Sequence, residues 1–283
     1  MSRPEIGRIQ AALEPMLGQL RSIDELASGT TGTTYLVETA AGLFAAKAFT
    51  ADSLALLSPA QQFEVLETLA ETGITPRPAG FNAKARLLVT EYLAEAAAVG
   101  PESLRQGERI ADVVAALRLL HAVTVDIPRF DPVADVERYV AATGGVVALS
   151  ADDRACFDEL VELVALAGSA GSDAICLCHN DLVASNLLFD RGLKLVDFDY
   201  AVLGPPVIDL ASFAVMNQLS GRQAGELLAA YYEGSSPLSV GEFARVRRLV
   251  RLTAHFWALA ATGASAATGA GAAIVDQYRI QHD

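Results

Sequence analysis

Residues 176–199 read CLCHNDLVASNLLFDRGLKLVDFD, and the fold turns on this stretch. An apolar run, Ile175 to Cys178, delivers His179-Asn180-Asp181 to a loop. Asn186 follows five residues after Asp181, and two short strand-like runs come next, Leu187 to Phe189 and Leu193 to Val196. A hairpin turning at Asp190-Arg191-Gly192 would return Asp197 to the side of Asn186. Asp181 is then free to meet a substrate hydroxyl, while Asn186 and Asp197 offer oxygens to Mg2+. Phosphoryl transfer demands mainly positioning and charge neutralisation, and this trio supplies both. A lone D-x-x-x-x-N is weak, since a surface turn carries an incidental Asp and Asn. The preceding strand with His179, and the L-V-D-F-D that follows, make it strong. If the strand continues, Asp199 points to the same side as Asp197, either as a second metal ligand or as a local hydrogen-bonding partner.

Upstream, the first ninety residues read as mostly strand. Within ASGTTGTTYLV (Ala27 to Val37), Gly29 and Gly32, with Ser28 and Thr30, let backbone N–H groups and hydroxyls approach phosphates. A plain hairpin turn uses the same residues. Lys47 follows Gly29 by eighteen residues and Gly32 by fifteen, in the apolar run LFAAKAF, and it is one of three lysines in the chain. An ammonium there needs an anionic partner, which a nucleotide phosphate would supply; a snorkelling surface lysine is the plainer alternative. A helix from about Pro59 to Thr72 carries Phe63, Leu66 and Leu69 on one side, and Gly73-Ile74-Thr75-Pro76 stops it. LLVTEY (Leu87 to Tyr92) reads as a buried strand running into a hinge at Glu91 to Leu93.

Beyond the hinge the period turns helical, over 110–123, 131–148, 152–167, 207–219, 224–233 and 240–261. The expected fold is α+β: a small, mostly-β lobe over residues 1–93 and a larger helical lobe over 94–283. Asp209, in GPPVIDLASF, either caps its helix or bonds the backbone of the 179–181 loop, and the second is favoured. His121 and His255 read as satisfied core histidines.

The 283 residues are 52% hydrophobic, enough for a full core, and the formal charge of −13 argues against a nucleic-acid partner or an anionic membrane surface. A cationic small substrate is compatible with that charge. Cys156, Cys176 and Cys178 form no C-x-x-C pair. A disulfide between Cys176 and Cys178 on one strand face would be strained, so reduced thiols and a cytoplasmic location are expected. The N-terminus has no continuous apolar core and does not read as a signal peptide. Residues 252–275 are uncharged apart from His255, but their second half, ATGASAATGAGAA, is small and weakly apolar. They read as a helix broken near Gly263 and packed on a core, not a bilayer span. The Ala/Gly/Ser stretches near 165–173 and 261–273 read as loops.

Taken in order, SGTTGTTYLV, FAAKAF, GITPRP, RLLHAV, CHNDLVASNLLF, LVDFDYA, PPVIDLASF and AHFWALA resemble the choline/ethanolamine kinase and aminoglycoside phosphotransferase superfamily, most of all its bacterial choline kinase and thiamine kinase-like branch. The resemblance spans roughly residues 22–260. It implies a protein-kinase-like fold, ATP and Mg2+ as cofactors, and a small-molecule acceptor. By resemblance Asp181 is the catalytic base, supported by His179 and by Asp209 as buried organiser of the loop. Asn186 and Asp197 bind Mg2+, Lys47 and the Ser28–Gly32 loop hold phosphates, and the hinge, with Glu91 and Leu93, meets adenine through its backbone. Three departures stand out. Gln62 occupies the helix position where such proteins place a glutamate partner for the lysine; Gly32 stands where an asparagine is common; and the aromatic cage of choline enzymes is reduced to Trp257, with Tyr200 and Asp199 as further acceptor candidates. An aminoglycoside-modifying enzyme and a nucleotide-binding chain without turnover remain the alternatives.

Overall fold

A computed structural model describes residues 3–51, 54–167 and 175–265. The chain opens with a helix, α1 (Arg3–Leu17), within the ninety residues that read as mostly strand. Its signal is Ile9, Ala12, Leu13 and Met16 at helical spacing. Leu13 is fully buried against Tyr35, Val37, Ala46, Leu87 and Val89. That face belongs to an antiparallel sheet of β1 (Leu20–Ser28), β2 (Gly32–Thr39), β3 (Leu43–Phe49), β4 (Pro78–Asn82) and β5 (Leu87–Glu91), in the order β1-β2-β3-β5-β4. β2 shows the period of two: Tyr35, Val37 and Thr39 are buried and their neighbours are not.

Between β3 and β4 lies α2 (Pro59–Leu69), started by a Ser58–Gln61 capping box with Pro59 at its first position. A single 3-10 turn, Ala70–Thr72, completes the expected helix, and Gly73 ends it at φ +70°. After β6 (Ala97–Ala98) and the short α3 (Pro101–Leu104), the chain is mainly helical. The helices are α4 (Gly107–His121), α5 (Pro132–Ala142), α6 (Ala151–Ala167), α7 (Val207–Met216), α8 (Gly221–Tyr231) and α9 (Val240–Ser265). The expected helix over 131–148 is split: α5 ends at Ala142, Gly144 and Gly145 adopt positive φ, and a 3-10 turn follows at Val146–Ala148. α7 is buried at every position from Val207 to Val215, so it forms the axis of this half.

The four short strands inside the helical half are β7 (Cys176–Cys178), β8 (Leu187–Phe189), β9 (Leu193–Leu195) and β10 (Val202–Gly204). β8 and β9 form the expected hairpin, joined by β6, and β7 pairs with β10. The result is an α+β fold with an antiparallel sheet toward the N-terminus and helices toward the C-terminus, as expected. α9 runs through Gly263 without the expected break. The loop readings at 168–173 and 266–273 lie outside the described residues. No helix among the described residues is long and apolar enough to cross a membrane.

Candidate active site

β7 ends at Cys178, and the next residue, His179, is wholly buried. Its Nε2 lies 3.0 Å from the Val196 carbonyl, and the Asp181 N–H reaches its Nδ1 at 3.3 Å. A carbonyl only accepts, so Nε2 carries the proton and the ring is neutral. Burial, the dominant cause, lowers the His179 pKa accordingly. His179 thus ties the loop to the residue that follows β9. Asp209 does the same from α7. Wholly buried, it accepts the N–H of His179 (2.9 Å) and of Asn180 (2.7 Å), and meets His121 Nε2 at 3.0 Å. Of its two anticipated roles, the loop bond is the one observed, with no side-chain cap on α7. Neither residue is among those that line the cavity of Asp181, although the sequence grouped both with the catalytic set.

In front of this support lies a cavity of about 410 Å³. Asp181, Asn186, Asp197, Asp199, Tyr200 and Trp257 line it, together with Ser28, Gly29 and Thr30 from the β1–β2 turn. The Asn186 Nδ2 donates to the Asp181 backbone oxygen (3.0 Å) and to its Oδ2 (2.9 Å), so the amide oxygen faces the other way. Burial, then the charges of Asp197 and Asp199, push the Asp181 pKa up to about 7. Such crowding of carboxylates around an outward amide oxygen is a hard-oxygen donor set that fits Mg2+.

Asp197 sits at φ +69° and Asn180 at φ +62°, left-handed conformations that cost a non-glycine residue strain and collect at functional sites. This turn corrects the period-of-two argument for Asp197 and Asp199, because the strand stops at Leu195. Both carboxylates nevertheless reach Lys47, whose Nζ donates to Asp197 Oδ1 at 2.5 Å and to Asp199 Oδ2 at 2.6 Å. Burial pulls the Lys47 pKa down, but the two aspartates outweigh it and leave it raised, so the ammonium is charged. Asp199 is only 2% exposed. Its other oxygen accepts from Gln62 Nε2 at 2.7 Å, its carboxylate takes a further bond from Thr31, and its backbone carbonyl accepts from Leu56 and Leu57. The anion that anchors Lys47 therefore comes from the turn after β9, and the neutral Gln62 holds that anion. Thr31 and the Leu56–Leu57 backbone were not legible in advance.

A direct expectation follows for Gln62→Glu. The substitution would set a second carboxylate against Asp199 at a position 1% exposed. The introduced carboxyl would then hold its proton above the unfolded value of about 4.3, so its stability contribution is present below that pH and lost as pH rises. Melting curves should show a deficit of about 1–3 kcal/mol at pH 8 that closes near pH 4. Wild-type stability at pH 8 would mean that Lys47 moves over to the introduced carboxylate.

Not every predicted residue joins the cavity. Gly32 belongs to β2 opposite Phe49, and a Cβ there would stand 2.3 Å from the Ala48 carbonyl oxygen. Close strand approach, not phosphate access, demands glycine, and the same clash bars the asparagine common at this position. In the hinge, the Glu91 carboxylate turns back to the Arg77 N–H at 3.0 Å, and the Glu91 N–H donates to the Arg77 carbonyl at 2.9 Å. Glu91 and Leu93 lie outside the cavity walls. Trp257 Nε1 donates to the Tyr200 hydroxyl at 2.7 Å, with the rings edge to face. Phe130 and Tyr139, which the motifs did not signal, add two more rings to this wall.

A family model described as "APH: Phosphotransferase enzyme family" matches residues 22–248. No curated protein sequence matches the chain. Among solved structures, choline kinase LicA from Streptococcus pneumoniae superposes with a TM-score of 0.81 at 22% identity, covering 98% of this chain and 96% of that one. The same enzyme has been solved in complex with AMP. A choline/ethanolamine kinase family protein from Mesorhizobium loti gives 0.76 at 22% identity, with 97% and 92% covered. The ADP-bound aminoglycoside phosphotransferase APH(2'')-Ib gives 0.64 at 15% identity, with 98% and 96% covered. These identities speak to the fold.

Proposed function

We propose that this chain, which belongs to the phosphotransferase enzyme family, transfers the γ-phosphoryl group of ATP to a hydroxyl of a compact metabolite of the choline, ethanolamine or thiamine type. One observation carries the reading: Asp181, Asn186 and Asp197 line a single cavity together with Phe130, Tyr139, Tyr200 and Trp257. Asp181 orients the acceptor hydroxyl and takes its proton as the oxygen attacks phosphorus and the bond to the departing ADP oxygen breaks. Asn186 and Asp197 would hold Mg2+, which neutralises phosphate charge when bound. Lys47 and the Ser28–Thr30 turn bind the donor phosphates, and the segment around Glu91 to Leu93, between a lobe of residues 1–93 and one of 94–283, receives the base. AMP and ADP in solved relatives support nucleotide binding. The thiols of Cys156, Cys176 and Cys178 are free, which supports a reducing cytoplasmic setting.

The acceptor wall favours a small, apolar or singly cationic alcohol. Its aromatic faces suit a cation or an apolar body, and among the described residues its acidic lining is Asp181, Asp197 and Asp199. A polycationic aminoglycoside would need further carboxylates. The test is ADP release with choline, ethanolamine, thiamine and kanamycin as acceptors. The expected result is a kcat/KM for one of the compact alcohols at least about 100-fold above that for kanamycin. A preference for kanamycin, or ATP binding without turnover on any alcohol, would overturn the reading.

A further inference from the structure

Away from the cavity, β7 places Cys176 and Cys178 on one face with their Sγ atoms 3.9 Å apart. The last residue of α4, His121, brings a ring nitrogen to them, and the three ligand atoms all lie within 4.8 Å of one another. The last residue of α8 adds Tyr231, whose hydroxyl is 2.7 Å from His121 Nδ1. On the opposite side of the ring, Asp209 Oδ2 lies 3.0 Å from Nε2. The imidazole side chain is 4% exposed and the Asp209 carboxylate 0%. None of His121, Cys176, Cys178 and Tyr231 lines the cavity of Asp181.

We propose that His121, Cys176 and Cys178 form a second metal site, selective for a thiophilic divalent ion of the Zn2+ class. Three features support it. Asp209 accepts the Nε2 proton, which fixes the tautomer and leaves the Nδ1 lone pair, now shared with a neutral hydroxyl. A carboxylate orienting a histidine in this way is the outer arrangement that metal-bound histidines use. The sulfur separation of 3.9 Å is close to the roughly 3.8 Å between sulfurs on a tetrahedral ion at Zn–S distances of about 2.3 Å. Two thiolates and an imidazole are also a borderline-soft set, which prefers Zn2+ to the Mg2+ suited to the oxygen donors of Asn186 and Asp197. Binding exchanges two thiol protons for one dication: both S–H protons leave to solvent, and the Tyr231 hydroxyl releases Nδ1. The start of the strand is the more open end of the cluster, with Ile175 44% exposed and Cys176 half-buried. The proposal does not depend on which alcohol the protein phosphorylates, or on whether it phosphorylates one.

The experiment is a Co2+ titration of the full chain under reducing conditions, read by absorption. The expected result is one thiolate-ligated Co2+ per chain, with sulfur-to-cobalt charge-transfer bands and tetrahedral ligand-field intensity. Zn2+ should displace the Co2+, and the melting temperature should rise with Zn2+ concentration. Cys176→Ser should weaken binding by more than about 100-fold, beyond the 10–100-fold typical of losing an outer-sphere partner. Cys156→Ser should leave it unchanged. The absence of thiolate bands in the wild-type chain, or their survival in the Cys176→Ser/Cys178→Ser double variant, overturns the site. A measurement that needs no variant is alkylation of Cys176, which Zn2+ should slow at least about tenfold. Equal rates with and without Zn2+ overturn it as well.

Discussion

Asp181→Asn should lower turnover by about 10²–10⁴-fold, the range a positioned general base supplies, while leaving nucleotide affinity nearly intact. The same variant should be more stable than wild type at pH 8. Both effects come from one cause. Burial first, and then the charges of Asp197 and Asp199, raise the Asp181 pKa to about 7. A carboxyl raised above its unfolded value of about 3.9 contributes stability that is complete below that pH and lost as pH climbs through 7. Asparagine keeps the shape, still offers an oxygen to the Asn186 amide, and carries no charge to bury. Its gain should be on the order of 1–2 kcal/mol at pH 8, discounted for water at the cavity mouth, and vanish near pH 4. Paired denaturation curves at the two pH values, beside a rate measurement, check it. Retention of more than about a tenth of the activity would remove Asp181 from the role of base.

Asp209→Ala should cost about 3–5 kcal/mol, the largest stability loss expected for a single side chain here. Asp209 has no exposure, and three donors converge on its two oxygens: the backbone N–H groups of His179 and Asn180 and the ring of His121. Alanine leaves all three without an acceptor in the core, and each buried unsatisfied donor costs about 1–3 kcal/mol. Asp209→Asn should fall between, since an amide offers one acceptor oxygen and turns an N–H toward a donor. The left-handed Asn180 at φ +62° makes the loop dependent on this support. Urea unfolding at constant slope is the measurement. A loss below about 1 kcal/mol would mean that the loop holds its shape by other means.

The parts of this account that were legible in the sequence are local or periodic. The β8–β9 hairpin followed from two short strand-like runs, Leu187 to Phe189 and Leu193 to Val196, on either side of Asp190-Arg191-Gly192. The position of Lys47 in an apolar strand already required an anion nearby. Illegible parts depend on contacts between distant segments or on one backbone torsion. Lys47 and Asp197 are 150 positions apart, and Gln62 and Asp199 are 137. No period reports which of several aspartates answers a buried lysine. The left-handed turn at Asp197 overrides strand alternation at the one place where alternation was used to orient two carboxylates. α1 was missed because Glu5, Gln10 and Glu14 dilute its apolar stripe, though Ile9, Ala12, Leu13 and Met16 carry it. Gly32 looked like phosphate-loop chemistry, but the Ala48 carbonyl behind it explains the residue.

The most direct measurement is a crystal structure of the protein with Mg2+ and a non-hydrolysable ATP analogue. The account predicts Mg2+ at about 2.0–2.1 Å from the Asn186 amide oxygen and an Asp197 carboxylate oxygen. Lys47 should have moved from Asp197 onto a phosphate, and Asp181 should face the aromatic wall without touching the metal. A nucleotide bound elsewhere, or one whose terminal phosphate lies beyond the reach of these three side chains, would contradict it.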